Sequence, residues 1–156
     1  AFDADASLMW LHGMYQYQRA GIWVTLGKPF DPQKVYRGMR TICHQTMYVK
    51  KALHQQYGLY NTRLKIAMDF DFLVRIRNEK FVFLPEVLAV FSPGGTSMQN
   101  MEKILDENTH IIETHLGKSF KHRIWTLRLR LLIGLMNSPM GKPLYWLKTK
   151  MGLANA

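Results

Sequence analysis

Acidic side chains are scarce in this sequence and unevenly placed: 11 Asp and Glu stand against 21 Lys and Arg, and residues 118–156 hold no acid at all. Cysteine is nearly absent too. The single Cys43 excludes an internal disulfide and suits a reducing cytosol. Long apolar runs are missing, since the best candidate, residues 125–136, is broken by Arg128 and Arg130. A membrane-spanning helix needs ~18–20 uninterrupted apolar residues, so none is expected. Residues 1–7 carry two aspartates and no apolar core, so no secretory signal is expected at that end. His54, His110, His115 and His122 lack ligand-like spacing with one another or with Cys43, so no zinc site is expected. Internal repeats and low-complexity tracts are also lacking.

What remains is the composition of a folded domain. Apolar residues make up 47% of 156, enough for a sizeable core. Residues 1–117 are nearly neutral, with 13 Lys and Arg against 11 Asp and Glu, whereas residues 118–156 carry eight cations. A neutral body with a basic tail points to a partner of negative charge, either phospholipid or nucleic acid.

Patterning divides the body into alternating elements. Residues 8–17 and 22–26 read as strands joined by a turn at Arg19-Ala20-Gly21, a hairpin. Asp31-Pro32 starts a short helix that stops near Gly38. Residues 45–49 read as a buried strand and residues 50–57 as a helix closed by Gly58. A largely buried helix is expected over 69–77, strands over 81–84 and 87–91 separated by Pro85-Glu86, and a loop at Ser92-Pro93-Gly94-Gly95. A helix follows from Met98 to Gly117, then a tail helix to about Asn137 and a last short helix after Pro143. The fold class is α/β with a mixed sheet, because two connections have the look of hairpins.

One ordered series stands out over residues 43–75: His44-Gln45, Lys50-Lys51, Gly58, Tyr60-Asn61, Asp69-Phe70-Asp71 and Arg75. It continues through Leu84-Pro85-Glu86, Phe91 and Gly94-Gly95-Thr96-Ser97. This series resembles the second half of bacterial family 2 glycosyltransferases of GT-A type, which build surface polysaccharides. The resemblance covers roughly residues 8–117. It implies a partial GT-A-like mixed sheet flanked by helices, the acceptor-side half of the domain over 1–117, with a basic amphipathic tail over 118–156. It further implies a nucleotide-sugar donor, a saccharide or lipid-linked acceptor, and work at the inner face of the cell membrane. A divalent metal, Mg or Mn, is implied in the complete enzyme, its ligands expected in an N-terminal half. Asp3-Ala4-Asp5 matches an acidic DxD string but sits too close to the following strand, and reads as a solvated loop.

Inverting glycosyl transfer needs a base for the acceptor hydroxyl and positive charge near the departing diphosphate. Asp69 occupies the position of the family's catalytic aspartate; an ordinary aspartate, with a pKa of ~3.9, is ionised at neutral pH. It could equally cap the helix it begins. Asp71 lies roughly 200° around that helix, on another face, and can pair with Arg75 at i,i+4. Arg75 could instead reach the diphosphate or orient Asp69. The resemblance places His44 and Gln45 in the acceptor and donor-sugar pocket, and both can hydrogen-bond sugar hydroxyls. Ser97 closes a Gly94-Gly95-Thr96 segment that is either a phosphate cradle or a tight turn capping the next helix.

In the tail helix, Phe120, Ile124, Leu127, Leu131 and Leu135 form one apolar stripe, and Trp125, Leu129, Leu132 and Met136 a second, with basic residues flanking both. Such a helix could rest one side on an anionic membrane surface, or be buried on both sides. The competing function class is a non-catalytic basic module for membrane or nucleic acid. No nucleic-acid motif is present, so no nucleic-acid partner is expected.

Overall fold

The structure, a computed structural model, describes residues 1–19, 21–92 and 100–139. The chain divides into two compact units, Ala1–Ser119 and Phe120–Ala156.

The first unit is organised by one strand, β1 (Trp10–Arg19), which is paired along both edges. On one edge lie β2 (Ile22–Leu26), antiparallel against Tyr15 to Arg19, and the two-residue β3 (Tyr48–Val49), antiparallel against Trp10 and Leu11. On the other edge β4 (Phe81–Phe91) runs parallel from Trp10↔Phe81 to Tyr17↔Phe91. The sheet is therefore mixed. The hairpin between β1 and β2 forms as the pattern indicates, with Gly21 at φ 81°, a conformation that costs a residue without Cβ little.

Residues 81–91 depart from expectation: they form one strand, not two joined by a turn. Pro85 has no N–H to give a ladder, and the chain accommodates it in a bulge. The register slips between Gly13 and Met14 and again between Met14 and Tyr15, so Gly13 faces Leu84 while Met14 faces Val87. Gly13 makes this possible. A Cβ there would lie 2.5 Å from Leu88 Cδ1 and 2.9 Å from the Glu86 carbonyl oxygen.

The strand expected over 45–49 is also corrected. His44–Thr46 is a single 3-10 turn, and only Tyr48 and Val49 pair with β1. The buried Thr46 hydroxyl decides this, reaching the Cys43 carbonyl at 2.8 Å and the Gly13 carbonyl at 3.1 Å. A side chain that satisfies nearby backbone acceptors competes with ladder formation.

Three helices cover the core: α1 (Lys51–Tyr57), α2 (Met68–Ile76) and α3 (Met101–Leu116), with a 3-10 helix at Pro32–Arg37 whose first turn is capped by Asp31. α2 is buried nearly all round, with Phe70, Phe72, Leu73, Val74 and Ile76 packed on Trp10 of β1, Leu53 of α1 and Ile111 and Ile112 of α3. Each such side chain contributes ~1.5–3 kcal/mol on burial. Trp10 stacks on Phe81 at 4.6 Å and meets Phe30 edge-on. Beside it His12 is fully buried against Phe83, with neither ring nitrogen hydrogen-bonded, and burial pushes its pKa down to about 4.

The second unit contains α4 (Phe120–Asn137), the expected tail helix. The segment expected as a last helix after Pro143 lies outside the described residues. The architecture is thus a mixed α/β fold with a sheet flanked by helices and a basic C-terminal helical region.

Candidate functional site

Two short segments distant in sequence meet at the surface of the first unit. Thr46 pins the 3-10 turn to β1 and so fixes His44 at its start. Asp69 stands in the first turn of α2, where its Oδ1 accepts the Phe70 N–H at 2.8 Å. Its Oδ2 lies 3.1 Å from His44 Nδ1. The imidazole is mostly exposed and the carboxylate about a quarter exposed, so both are open to a ligand. The hydrogen bond to Asp69 raises the His44 pKa, outweighing the opposing effect of burial. The pair is thus a fixed carboxylate beside an imidazole that holds its proton more firmly than usual. Gln45 follows on the exposed side of the turn, where its Oε1 is 3.7 Å from Cys43 Sγ. Burial raises the Cys43 thiol pKa, and the Asp69 charge adds to this, leaving the thiol protonated.

What holds the start of α2 in place is Glu107 of α3. One of its oxygens accepts the Lys65 N–H at 2.9 Å, and the other accepts those of Ile66 and Ala67 at 2.9 and 2.8 Å. Burial alone would raise its pKa, but the three backbone N–H groups prevail and hold it below the usual value. Glu107 is the residue the sequence did not point to. Nothing at its position in α3 marks it as the partner of a turn forty residues earlier.

Asp71 faces another way. It is 5% exposed and is bonded to Arg75 through Nε at 3.1 Å and Nη2 at 3.0 Å, and to His115 Nε2 at 2.8 Å. Arg75 in turn donates to the carbonyls of Tyr57, Gly58 and Leu59. Four guanidinium N–H groups are engaged by these hydrogen bonds. Arg75 therefore clamps the chain leaving α1 onto α2. Asp71 and Arg75 border an open cavity of about 320 Å³ together with Asn61, His110, Thr114 and His115. Of the candidate site residues, His44, Gln45 and Asp69 come together, and Asp71 and Arg75 form this separate cluster. Ser97, with the Gly94-Gly95-Thr96 segment, lies outside the described residues.

No family model, curated protein or solved structure matches the chain. Among the described residues no group of three or more His, Cys, Asp or Glu side chains is placed to hold a metal ion. Asp5, the second acid of the DxD string, is engaged otherwise. It accepts from the Ser7 N–H and hydroxyl and pairs with Lys80 at 2.8 Å, contacts that lower its pKa to about 2. It ties the first loop to the residue preceding β4, and the described residues do not fit a metal bound at this string.

Proposed function

We propose that this chain is the acceptor-side part of an inverting glycosyltransferase of GT-A type and family 2, moving a sugar from a nucleotide sugar to a saccharide or lipid-linked acceptor in surface polysaccharide synthesis at the inner face of the cell membrane. The observation that carries the reading is the Asp69–His44 pair, which joins two members of the ordered series, 25 positions apart, at an accessible surface.

In this reading Asp69 Oδ2 takes the proton from the acceptor hydroxyl as that oxygen attacks the anomeric carbon. A bond forms from the acceptor oxygen to the anomeric carbon, and the bond from that carbon to the diphosphate breaks, the electron pair leaving with the nucleoside diphosphate. His44 and the Phe70 N–H hold the carboxylate in one orientation, which favours the near-attack geometry. Gln45, exposed on the same turn, would hydrogen-bond a sugar hydroxyl. The divalent metal implied by the resemblance would stabilise the diphosphate, its ligands expected in an N-terminal half.

The test is made on the full-length gene product with a panel of nucleotide sugars and lipid-linked saccharides. Asp69→Asn keeps the shape and removes the base, so transfer falls ~10²–10⁴-fold while donor binding is retained. Transfer near the wild-type rate in that variant overturns the assignment of Asp69. Absence of transfer by the wild type with every donor favours the second reading, a non-catalytic basic module, which rests on the cations of α4.

A further inference from the structure

The basic tail helix resolves a choice that its sequence leaves open. Of the two apolar stripes on α4, one is free: Phe120 is 77% exposed, Leu131 66%, and Ile124, Leu127 and Leu135 are also exposed. At 3.6 residues per turn these five side chains fall within about 80° of the helix circumference. Away from it His122 and Thr126 are buried and Trp125, Leu129 and Ile133 half-buried, while Leu132 and Met136 of the second stripe are exposed at 44% and 48%. The free stripe runs the full length of the helix.

Cations border it on both sides. Lys121 and Arg128 lie about 60–80° from its centre in one direction, and Arg123 and Arg130 about 80–100° in the other. All four are exposed, and Arg128 lies 5.5 Å from the Trp125 ring centroid. Long basic side chains beside an apolar stripe can extend upward from it, leaving their charges at the level of phosphate while the stripe sits deeper.

We propose that α4 docks in the plane of an anionic lipid bilayer surface, with Phe120, Ile124, Leu127, Leu131 and Leu135 entering the boundary between headgroups and acyl chains and the flanking cations meeting lipid phosphates. The inference rests on α4 alone and is independent of the glycosyltransferase reading. Charge decides among the occupants that an apolar face could take. A second copy of α4 laid against the first would bring cations on both rims against cations, and α4 contains no Asp or Glu to pair with them. A nucleic acid backbone calls for charge along the centre of the contact, and here the centre is aliphatic. Crossing the bilayer is a different matter, and no helix among the described residues is long and apolar enough for it.

The experiment is co-sedimentation of the full 156-residue chain with vesicles of phosphatidylglycerol or of phosphatidylcholine. The chain binds phosphatidylglycerol at low salt and phosphatidylcholine weakly. Binding falls at ~0.15 M salt, where the Debye length is about 8 Å, and a part persists at ~1 M. Leu127→Glu with Leu131→Glu lowers partition at least ~10-fold at every salt concentration. Lys121→Glu with Arg128→Glu removes the preference for phosphatidylglycerol and most of the salt dependence. Because all four positions are exposed, thermal unfolding stays unchanged, and circular dichroism checks this. Three outcomes overturn the proposal: equal binding by the Leu127→Glu, Leu131→Glu chain, a single-stranded oligonucleotide that strips the protein from vesicles, or self-association abolished by the same glutamates with no vesicle binding in the wild type.

Discussion

Asp69 and Asp71 stand two residues apart on the same helix, yet the fold uses them in opposite ways. Asp69 is partly open to solvent, and its one side-chain partner, His44, is exposed. Asp71 is enclosed and has two, Arg75 and His115, the first of which is itself fixed by three backbone carbonyls. A buried charge with several fixed partners is expensive to disturb, whereas an exposed pair contributes little to stability. Adjacent positions on one helix can thus be divided between holding a fold and presenting a reactive group. The half-turn that separates them makes the division.

The strongest way to break that contrast is at Asp71. Asp71→Asn leaves the Arg75 guanidinium without a counter-charge and should cost ~3–5 kcal/mol in urea unfolding. A smaller loss is expected at Glu107→Gln, ~1–3 kcal/mol, because an amide offers one acceptor oxygen to three N–H groups. Its sign with pH is also fixed. The folded Glu107 pKa is depressed, so its contribution is present above the unfolded value of ~4.3 and lost as pH falls through the folded value. Unfolding curves of the Gln variant should be correspondingly less sensitive to acid.

Asp69→Asn should have the smallest effect, under ~1 kcal/mol. The His44 pKa is raised in the folded state, so whatever the pair contributes is present below ~6.5 and lost as pH rises through the folded value. NMR titration of His44 should accordingly move down toward its ordinary value in the Asn variant. If Asp69→Asn destabilises as much as Asp71→Asn, the contrast between the two aspartates fails.

Much of this was legible in the sequence, and the rest was hidden for definable reasons. Helical period alone separates Asp69 from Asp71 and matches Asp71 to Arg75. The hairpin at β1 and β2 and the caps at Asp31, Gly58 and Gly117 follow from local chemistry. Pro85 was misleading because a bulge opposite a glycine can absorb it, and the need for Gly13 appears only once β4 is known to lie beside β1. Thr46 turned an apolar segment into a 3-10 turn through a bond to a residue 33 positions away. His115 and Glu107 are ordinary helix residues until α3 is laid across α2. The tail shows the same limit. Its two stripes are equally apolar on paper, and only the folded chain shows that one is exposed throughout while the other is half-buried at Trp125 and Leu129 and exposed at Leu132 and Met136.

The central strand carries a consequence for how the chain assembles. β1 meets β2 across the tight turn that follows it, but Trp10 meets Phe81 only after both α1 and α2 have been traversed. Loop closure costs entropy that grows by about 0.6 kcal/mol with each doubling of length, and non-local pairings slow folding. The parallel pair is thus the costly contact of the sheet. The turns that Arg75 and Glu107 hold lie within the stretch that this pairing must close over.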